Sequence, residues 1–313
     1  MKTLLTSSPL EAAEIIKLGG IAAFPTETVY GLGADIFNKK AIEKVFEAKN
    51  RPADNPLIAH ISSIEQIAEL ANKITETAGK LIESFFPGPV TIVLEKAGHV
   101  PDIATAGLDS IGIRMPRNTL ASEFIAACRT PVVAPSANLS GRPSPTTWQA
   151  VYEDLDGRID CILQGDATEI GLESTVVDCR VDTPTILRLG SVSLQDIQAV
   201  IPGAKLFGFN NDGERRSPGL KHKHYSPRAS VVIWNSQKPE ALRTAFIGLR
   251  QPERDFALIR KVPSLQAYAH ELFEFFRECD RQEIEMIYCE RVDDLGMGAA
   301  LMDRIERASR AGN

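Results

Sequence analysis

Over roughly its first 200 residues the chain alternates short apolar strands with amphipathic helices, and this alternation restricts the fold more than any other feature. Residues 21–24 form an apolar run that stops at Pro25, and residues 40–49 follow with an apolar side typical of a helix. Such alternation favours an α/β domain, and the successive strands late in this region predict a mixed sheet. Further strands are expected at residues 57–61, 90–95, 111–114, 132–134, 160–163, 175–178 and 185–189.

Residues 203–228 have no apolar period and are rich in turn-forming residues. With 313 residues, the chain exceeds one typical domain of about 100–200 residues. We therefore expect a first domain at 1–202, a linker at 203–228 and a second domain at 229–313. The second should be a small Rossmann-like, three-layer parallel α/β domain. Its strands are expected at 230–234, 256–260 and 285–288, and its helices near 239–248, 264–278 and 298–309.

Composition and charge exclude several classes of protein. A hydrophobic content of 43% with 24% charged residues is ordinary for a globular chain, and the net charge of −6 argues against a protein that coats nucleic acid. No apolar run reaches the length of about 18 residues that a membrane span needs, and the N-terminal apolar stretch is too short for a signal peptide. Five widely spaced cysteines without a C-x-x-C pair indicate a reducing compartment, so we expect a cytoplasmic protein.

Several common sites are not supported. Gly31-Leu32-Gly33 lacks the third glycine of a dinucleotide fingerprint, because that position holds Ile36, and a tight turn is expected there. The chain has neither a Walker loop nor the G-x-S-x-G elbow of a serine hydrolase. His222-x-His224 has no further histidine nearby in the sequence, so no protein-bound metal is expected.

Three stretches remain as candidate sites. After the strand that ends at Pro25, the side chains of Thr26, Glu27, Thr28 and Tyr30 could all face one small polar ligand, or could simply cap an ordinary turn. The other two stretches are short segments next to a proline.

The second stretch carries two cations and the third carries small polar groups. Lys49 and Arg51 end a helix just before Pro52, an arrangement that suits a triphosphate but equally a solvated helix end. Ser136 and Asn138 follow a strand on a rigid loop, where a hydroxyl and an amide can bind phosphate oxygens. Taken alone, this loop is an unremarkable turn.

Together, these residues and the motifs around them resemble the threonylcarbamoyl-AMP synthase family, with its YrdC-like domain. The motifs are PTETVYGLG, KNRPADNPL, FPGPVT, GIRMP, APSAN and GLESTV. SPGLKHKHYSP and, more weakly, GMGAA at 296–300 with Arg304 resemble the longer, two-domain branch. The resemblance implies an open, twisted mixed sheet with helices for the first domain.

The resemblance also implies a reaction. The family joins L-threonine, bicarbonate and ATP into threonylcarbamoyl-AMP, releasing pyrophosphate and water, as the first step of threonylcarbamoyladenosine formation on tRNA. It is thus an adenylyltransferase whose product passes to a downstream tRNA threonylcarbamoyltransferase machinery. We expect Mg²⁺ to be held mainly through the phosphates of ATP. The linker would fold over the nucleotide and exclude water.

By resemblance, the site residues fall into three groups. The catalytic group is Lys49, Arg51, Ser136 and Asn138. The ATP-binding positions are Arg51, Asn55, Ser110, Ser136, Ser144, Arg188 and Tyr225. The threonine-binding positions are Thr28, His60, Arg114, Ala134 and Ser174.

Two alternatives stay open at this stage. One is a carbamoyl-transfer module of the hydrogenase-maturation type, which shares the YrdC-like fold; the linker and the C-terminal motifs count against it. The other is a non-catalytic RNA-binding module, which predicts steep salt dependence and no ATP turnover. The net negative charge counts against this module, although weak RNA binding by the enzyme itself remains compatible with the sequence.

Overall fold

The computed structural model describes residues 2–208, 225–234 and 243–311. Eleven of the described strands form one mixed sheet in the order β1-β8-β2-β3-β7-β4-β6-β5-β9-β10-β11. These strands are β1 (Leu4–Thr6), β2 (Ala22–Phe24), β3 (Gly31–Asp35), β4 (Ile58–His60), β5 (Val90–Glu95), β6 (Ser110–Arg114), β7 (Val132–Ala134), β8 (Cys161–Leu163), β9 (Thr175–Asp178), β10 (Thr185–Arg188) and β11 (Lys205–Leu206). The predicted mixed α/β sheet is confirmed.

Helices cover both faces of this sheet, but unequally. One face packs on the main core, which contains apolar residues of α2 and α3, such as Val45 and Leu81. Part of the opposite face is covered by α1 and α5, which pack against each other over Phe24 and Phe124. The helices are α1 (Pro9–Lys17), α2 (Lys39–Lys49), α3 (Glu76–Phe85), α4 (Asp102–Thr105), α5 (Thr119–Cys128), α6 (Trp148–Leu155) and α7 (Leu194–Val200), with a 3₁₀ helix at Ile64–Glu69.

The two glycines of Gly31-Leu32-Gly33 lie in a strand, so the expectation of a tight turn there is wrong. β3 pairs antiparallel with both β2 and β7. A Cβ atom on Gly33 would lie 2.7 Å from Cγ1 of Val132 on β7. Glycine is therefore needed here because neighbouring side chains cross the strand closely, not because the chain turns.

The C-terminal residues form a second sheet of four described strands, all parallel, in the order β12-β15-β13-β14. Its elements are β12 (Ser230–Trp234), β13 (Thr244–Gly248), β14 (Leu258–Lys261), α8 (Leu265–Arg281), β15 (Met286–Glu290) and α9 (Met297–Ala311). We call residues 230–311 the C-terminal unit. The predicted parallel sheet is confirmed. The prediction of a helix near 239–248 is wrong for residues 244–248, which form β13. That run is buried at every residue, as in a parallel strand covered on both faces.

The two helices of the C-terminal unit contact each other and therefore lie on the same face of its sheet. The other face carries an aromatic cluster in which Trp234 meets Phe246, Phe256 and Tyr288 edge-on. The predicted three-layer domain would also have a helix on this second face, and the described residues contain none there. Residues 209–224, most of the expected linker, lie outside these ranges, whereas β11 extends the first sheet to Leu206.

The C-terminal unit packs directly on loops of the first sheet. One apolar cluster joins Val29 and Leu172 of those loops to Tyr225 and Phe273. Gly171, at φ +81°, lets α8 approach, since a Cβ atom there would lie 2.5 Å from Cα of His270. Through this contact α8 packs on the loop that precedes β9. No helix within the described residues is long and apolar enough to span a bilayer.

Candidate active site

A cavity with about 720 Å³ of empty space, part of it open to solvent, lies against the face of β4, β6 and β7. Ile58 and His60 alternate with the core residue Ala59, so both point to the cavity face, and Arg114 and Ala134 pair with them from the neighbouring strands. Ten of the predicted site residues line it: Thr28, Arg51, Asn55, His60, Arg114, Ala134, Ser136, Ser174, Arg188 and Tyr225.

The loop after β2 forms one wall. Thr26 Oγ1 donates to the carbonyl of Val29 at 2.7 Å and lies 2.8 Å from Thr28 Oγ1. The hydroxyl of Tyr30 donates to the carbonyl of Gly165 at 2.9 Å, which ties the loop to the segment just after β8. The loop is thus both a self-capped turn and a cavity wall, since Thr26 and Thr28 both line the cavity.

Arg114 is held in place by that loop. Its Nη1 donates to Thr28 Oγ1 at 2.7 Å, its Nη2 lies 2.8 Å from Glu27 Oε1, and its Nε donates to the carbonyl of Gly88 at 3.3 Å. Burial alone would raise the pKa of Glu27, but the charge of Arg114 and the hydrogen bonds to the carboxylate hold it below its ordinary value. Glu27 therefore balances Arg114 as a carboxylate. The sequence placed Glu27 in the loop but gave no partner for it.

His60 lies beside this ion pair as a neutral imidazole. Burial, reinforced by the positive charge of Arg114, lowers the pKa of His60 to about 3. Its Nδ1 lies 3.1 Å from the carbonyl of Ile58. A neutral ring offers one donor and one acceptor, which suits an uncharged polar ligand group.

Arg188 and Ser174 form a hydrogen-bonded pair that also lines the cavity. Arg188 Nε donates to the Ser174 carbonyl, and its Nη2 donates to Ser174 Oγ, both at 3.0 Å. Ser174 Oγ also lies 2.8 Å from Thr91 Oγ1. Burial lowers the pKa of Arg188 below its ordinary value. The predicted threonine and ATP positions thus touch each other here.

Arg51 and Asn55 lie together with unused hydrogen-bonding capacity. Arg51 Nη2 donates to the Asn55 carbonyl at 3.3 Å, whereas Arg51 Nε and Asn55 Oδ1 are buried without a hydrogen-bond partner. Burial lowers the pKa of Arg51 to about 10. Within the described chain, neither Arg51 nor Arg188 forms an ion pair with a carboxylate. Both guanidinium groups thus favour an anionic ligand.

Lys49 and Asn138 lie behind the cavity wall, outside its lining. Lys49 Nζ donates to the carbonyls of Ser136 and Asn138 at 2.6 and 2.5 Å, and lies 3.5 Å from Asn138 Oδ1. Ser136 Oγ donates to Asn138 Oδ1 at 2.6 Å. Burial, followed by the charge of Arg51, lowers the pKa of Lys49. Of Lys49, Ser136 and Asn138, only Ser136 lines the cavity. The Lys49 ammonium and the Asn138 side-chain amide hold the loop that carries Ser136.

Ser110 and Ser144 are the other two predicted residues that do not line the cavity. Ser110 shares a face of β6 with Arg114 but stands four residues before it, about 13 Å along the strand. Ser144 Oγ donates to Oε1 of Glu173 at 2.6 Å. Glu173 does line the cavity and was not predicted, although it belongs to the GLESTV motif.

The described residues contain no cluster of three or more histidine, cysteine, aspartate or glutamate side chains that could hold a metal ion. The carboxylates of Glu27 and Glu173 are each paired with an arginine. His222 and His224, the one metal candidate of the sequence, lie outside the described ranges.

Comparison with known proteins agrees with this architecture. Residues 14–190 match the family model Sua5_yciO_yrdC, described as Telomere recombination. Residues 192–310 match a model described as the C-terminal domain of threonylcarbamoyl-AMP synthase. The two models together cover both sheets except β1.

Similar curated proteins and a solved structure cover almost the whole chain. The threonylcarbamoyl-AMP synthase of Pyrococcus abyssi is 40% identical over 95% of this chain and 93% of its own length. That of Bacillus subtilis is 38% identical over 98% of this chain and 94% of its own. The crystal structure of P. abyssi Sua5 complexed with L-threonine superposes with a TM-score of 0.91 and 37% identity, covering 100% of this chain and 98% of that one. The chain therefore belongs to the threonylcarbamoyl-AMP synthase family, in its two-domain form.

Proposed function

We propose that this protein joins L-threonine, bicarbonate and ATP into threonylcarbamoyl-AMP, with release of pyrophosphate and water. One observation carries the proposal: predicted threonine residues and predicted ATP residues line one cavity, and Ser174 and Arg188 are hydrogen-bonded across the boundary between the two groups. The names of the full-length relatives support the same activity. The chain is then an adenylyl-transferring enzyme.

The charge distribution supports the proposal that each substrate binds at its own end of the cavity. At the Arg114 end the guanidinium is already balanced by Glu27, and Thr28 and neutral His60 add polar groups without net charge. This end suits a zwitterionic amino acid with a hydroxyl. At the Arg51 end the guanidinium makes no direct ion pair with a carboxylate among the described residues, although the charge of Asp54 acts on it, and this end suits a polyphosphate.

The reaction then has two bond-forming steps. The threonine amine attacks the carbon of bicarbonate, a C–O bond breaks, and water leaves once protons are transferred, which gives a carbamate. A carbamate oxygen attacks the α-phosphorus of ATP, and the bond from that phosphorus to the bridging oxygen breaks to release pyrophosphate. Arg51 and Arg188 stabilise the negative charge that develops on the leaving group.

The cavity offers alignment rather than a strong base. His60, with a pKa of about 3, is a weak base at neutral pH. The carboxylates of Glu27 and Glu173 both have pKa values below the ordinary range, because neighbouring arginines outweigh the effect of burial. We therefore assign the main catalytic contribution to proximity and fixed cationic groups.

Mg²⁺ would fit this site through the nucleotide rather than through the protein. Both oxygens of the cavity carboxylate Glu173 are used, one by Ser144 and one by Arg304. Mg²⁺ commonly keeps several water ligands and binds substrate phosphates. When bound, it would neutralise charge on the phosphates.

Two alternatives are less well supported. A carbamoyl-transfer module of the hydrogenase-maturation type leaves the match of residues 192–310 to a synthase C-terminal domain unexplained. A non-catalytic RNA-binding module does not explain why polar groups that suit an amino acid and cations that suit phosphate line the same cavity. We further propose a cytoplasmic location, delivery of the product to a tRNA-modifying transferase, and the division into 1–202, 203–228 and 229–313. The two separate sheets support two domains, although β11 extends the first sheet to Leu206, beyond residue 202.

The test is a reconstituted reaction. The purified chain is incubated with ATP, Mg²⁺, bicarbonate and radiolabelled L-threonine, and pyrophosphate and labelled adenylate are measured. We expect pyrophosphate release that needs both threonine and bicarbonate, and that Arg51→Ala abolishes. Pyrophosphate release without threonine dependence would contradict the proposal. Carbamoyl phosphate and then RNA, in a salt titration, would be the next ligands to test.

A further inference from the structure

Two arginines of the C-terminal unit are buried against the first sheet. Arg304 on α9 is 0% exposed and Arg277 on α8 is 3% exposed. A buried guanidinium is unfavourable unless it is paired and hydrogen-bonded, so the partners of each arginine show what it holds in place. The partners of these two arginines differ in their relation to the cavity.

Every partner of Arg304 in the first sheet lies at the cavity or next to it. Its Nε donates to Oε2 of Glu173 at 2.9 Å, and its Nη2 donates to the carbonyl of Leu189 at 2.8 Å. Glu173 lines the cavity, and Leu189 directly follows the lining residue Arg188. The Nη1 group is held by Asp303 at 2.7 Å, which fixes the guanidinium from its own helix.

Arg304 also packs on Tyr225, which lines the cavity. The guanidinium carbon lies 5.4 Å from the centre of the tyrosine ring, and Phe273 of α8 stacks on that ring with centroids 5.3 Å apart. Tyr225 has φ +66°, a left-handed backbone conformation that is unfavourable for a residue with a Cβ atom. Such a conformation persists where surrounding contacts impose it, and the ring contacts from α8 and α9 are part of these surroundings, together with the hydrogen bond from the Ser226 N–H to the Gly141 carbonyl.

Arg277 provides a natural comparison at the same interface. Its guanidinium donates to both carboxylate oxygens of Asp154, at 3.2 and 2.9 Å, and to the carbonyl of Pro143 at 2.5 Å. Neither Asp154 nor Pro143 lines the cavity. The two arginines thus share burial and a buried carboxylate partner, and differ in whether that partner belongs to the cavity.

We propose that Arg304 is a positioning residue for the nucleotide end of the cavity, where it fixes Glu173, Tyr225 and the strand end that carries Arg188. The inference rests on the proposed function, because it names ATP as the ligand. Arg304 does not itself line the cavity; it acts through the residues that do. The C-terminal unit thereby completes an active site whose chemical groups come mainly from the first sheet.

The test compares Arg304→Met and Arg304→Lys with the matched variant Arg277→Met. ATP affinity is measured by calorimetry, KM for ATP and for threonine by pyrophosphate release, and Tm by thermal unfolding. We expect Arg304→Met to weaken ATP binding by about ten- to a hundredfold, since small displacements of positioned groups have effects of this size. Arg304→Lys keeps the positive charge but not the set of hydrogen bonds that the guanidinium makes to Glu173, Asp303 and Leu189. Its ATP affinity should therefore lie between that of Arg304→Met and the wild type.

The control separates positioning from stability. Arg277→Met should lower Tm at least as much as Arg304→Met, yet keep the ATP Kd within about twofold of the wild type. KM for ATP should rise more than KM for threonine in the Arg304 variants. Equal loss of ATP affinity in Arg277→Met and Arg304→Met would overturn the inference, as would a wild-type Kd in the Arg304 variants. If Arg304→Met does not fold, Arg304→Lys decides by the same comparison.

The wild type shows which proposal fails. A wild type that binds ATP but forms no adenylate contradicts the proposed function, while the binding comparison still decides the role of Arg304. A wild type that turns over, with Arg304 variants indistinguishable from Arg277→Met, contradicts only the inference about Arg304. A wild type that does not bind ATP overturns both.

Discussion

Lys49 and Arg51 lie two residues apart, and the structure predicts that their loss has different consequences. The Lys49 ammonium is buried and donates to the carbonyls of Ser136 and Asn138, outside the cavity lining. The Arg51 guanidinium lines the cavity and makes one 3.3 Å hydrogen bond, to the Asn55 carbonyl. We therefore expect Lys49→Met to destabilise the fold and Arg51→Met to weaken ligand binding.

The size of each effect follows from these contacts. Lys49→Met leaves two buried carbonyl groups without a donor, each at a cost of about 1–3 kcal/mol, and offsets part of this loss by removing a buried charge. The free energy of unfolding should fall by about 2–4 kcal/mol. Arg51→Met removes one long hydrogen bond from a half-buried side chain, so its stability should change by about 1 kcal/mol or less. Its ATP affinity should fall by about ten- to a hundredfold, because a charged hydrogen bond is lost.

Urea unfolding followed by circular dichroism measures the stability, and calorimetric titration with ATP measures the binding. Both variants should lose synthase activity, Lys49→Met because the Ser136 loop moves and Arg51→Met because the phosphates lose a partner. A Lys49→Met protein that unfolds at the urea concentration of the wild type would refute the reasoning. So would an Arg51→Met protein with wild-type ATP affinity.

Three further predictions test other parts of the site. The folded chain keeps His60 neutral down to pH about 3, whereas the unfolded chain protonates it below its ordinary pKa of 6.5. Stability should thus fall as the pH drops from about 6.5 towards 3, by up to about 1.4 kcal/mol per pH unit, and urea unfolding at pH 7 and 5 should show a smaller fall for His60→Gln. Asp154→Asn leaves the buried Arg277 guanidinium without its carboxylate partner, so the free energy of unfolding should fall by about 3–5 kcal/mol. A fall of less than about 1 kcal/mol, measured by urea unfolding, would contradict a structural role for this ion pair. Gly190→Ala places a Cβ atom 2.4 Å from the amide nitrogen of Thr175, next to Ser174, so the backbone there must shift. Calorimetry should show threonine binding weakened about tenfold or more. Gly203→Ala, whose Cβ atom meets nothing within 4 Å, is the control and should bind threonine like the wild type.

Short strands bounded by proline were predictable from the sequence because the signal is local. The apolar run before Pro25 and the runs at Val90–Glu95 and Val132–Ala134 are strands as expected. Strands whose identity depends on distant neighbours were not predictable in this way. Gly31–Asp35 has two glycines and reads as a turn, yet pairing on both sides and the close approach of Val132 make it a strand.

Whether a site residue could be predicted from the sequence depended in the same way on whether its signal is local. Residues with a recognisable motif, such as Arg51 and Ser136, line one cavity, and their role in binding ATP stays a prediction. The ion pair of Glu27 with Arg114 joins residues far apart in the chain, and no local spacing indicates it. The contact between Arg304 and Glu173 crosses from one sheet to the other, so it required the packing of the C-terminal unit to be known.

The pairing of charges explains how one cavity could orient two different substrates. Arg114 is balanced by Glu27, and Glu173 is balanced by Arg304, so neither pair leaves a net charge facing the ligand. Arg51 and Arg188 form no direct ion pair with a carboxylate in the part of the chain that the structure describes, although Asp54 and Glu173 lie close enough for their charges to act on them. A polyanion would offset the remaining cost of burying these two guanidinium groups. Arg188 also donates twice to Ser174 at the threonine end. A carbamate formed at the proposed threonine end would therefore lie next to a cation that we propose binds phosphate, which is the arrangement that attack on the α-phosphorus requires.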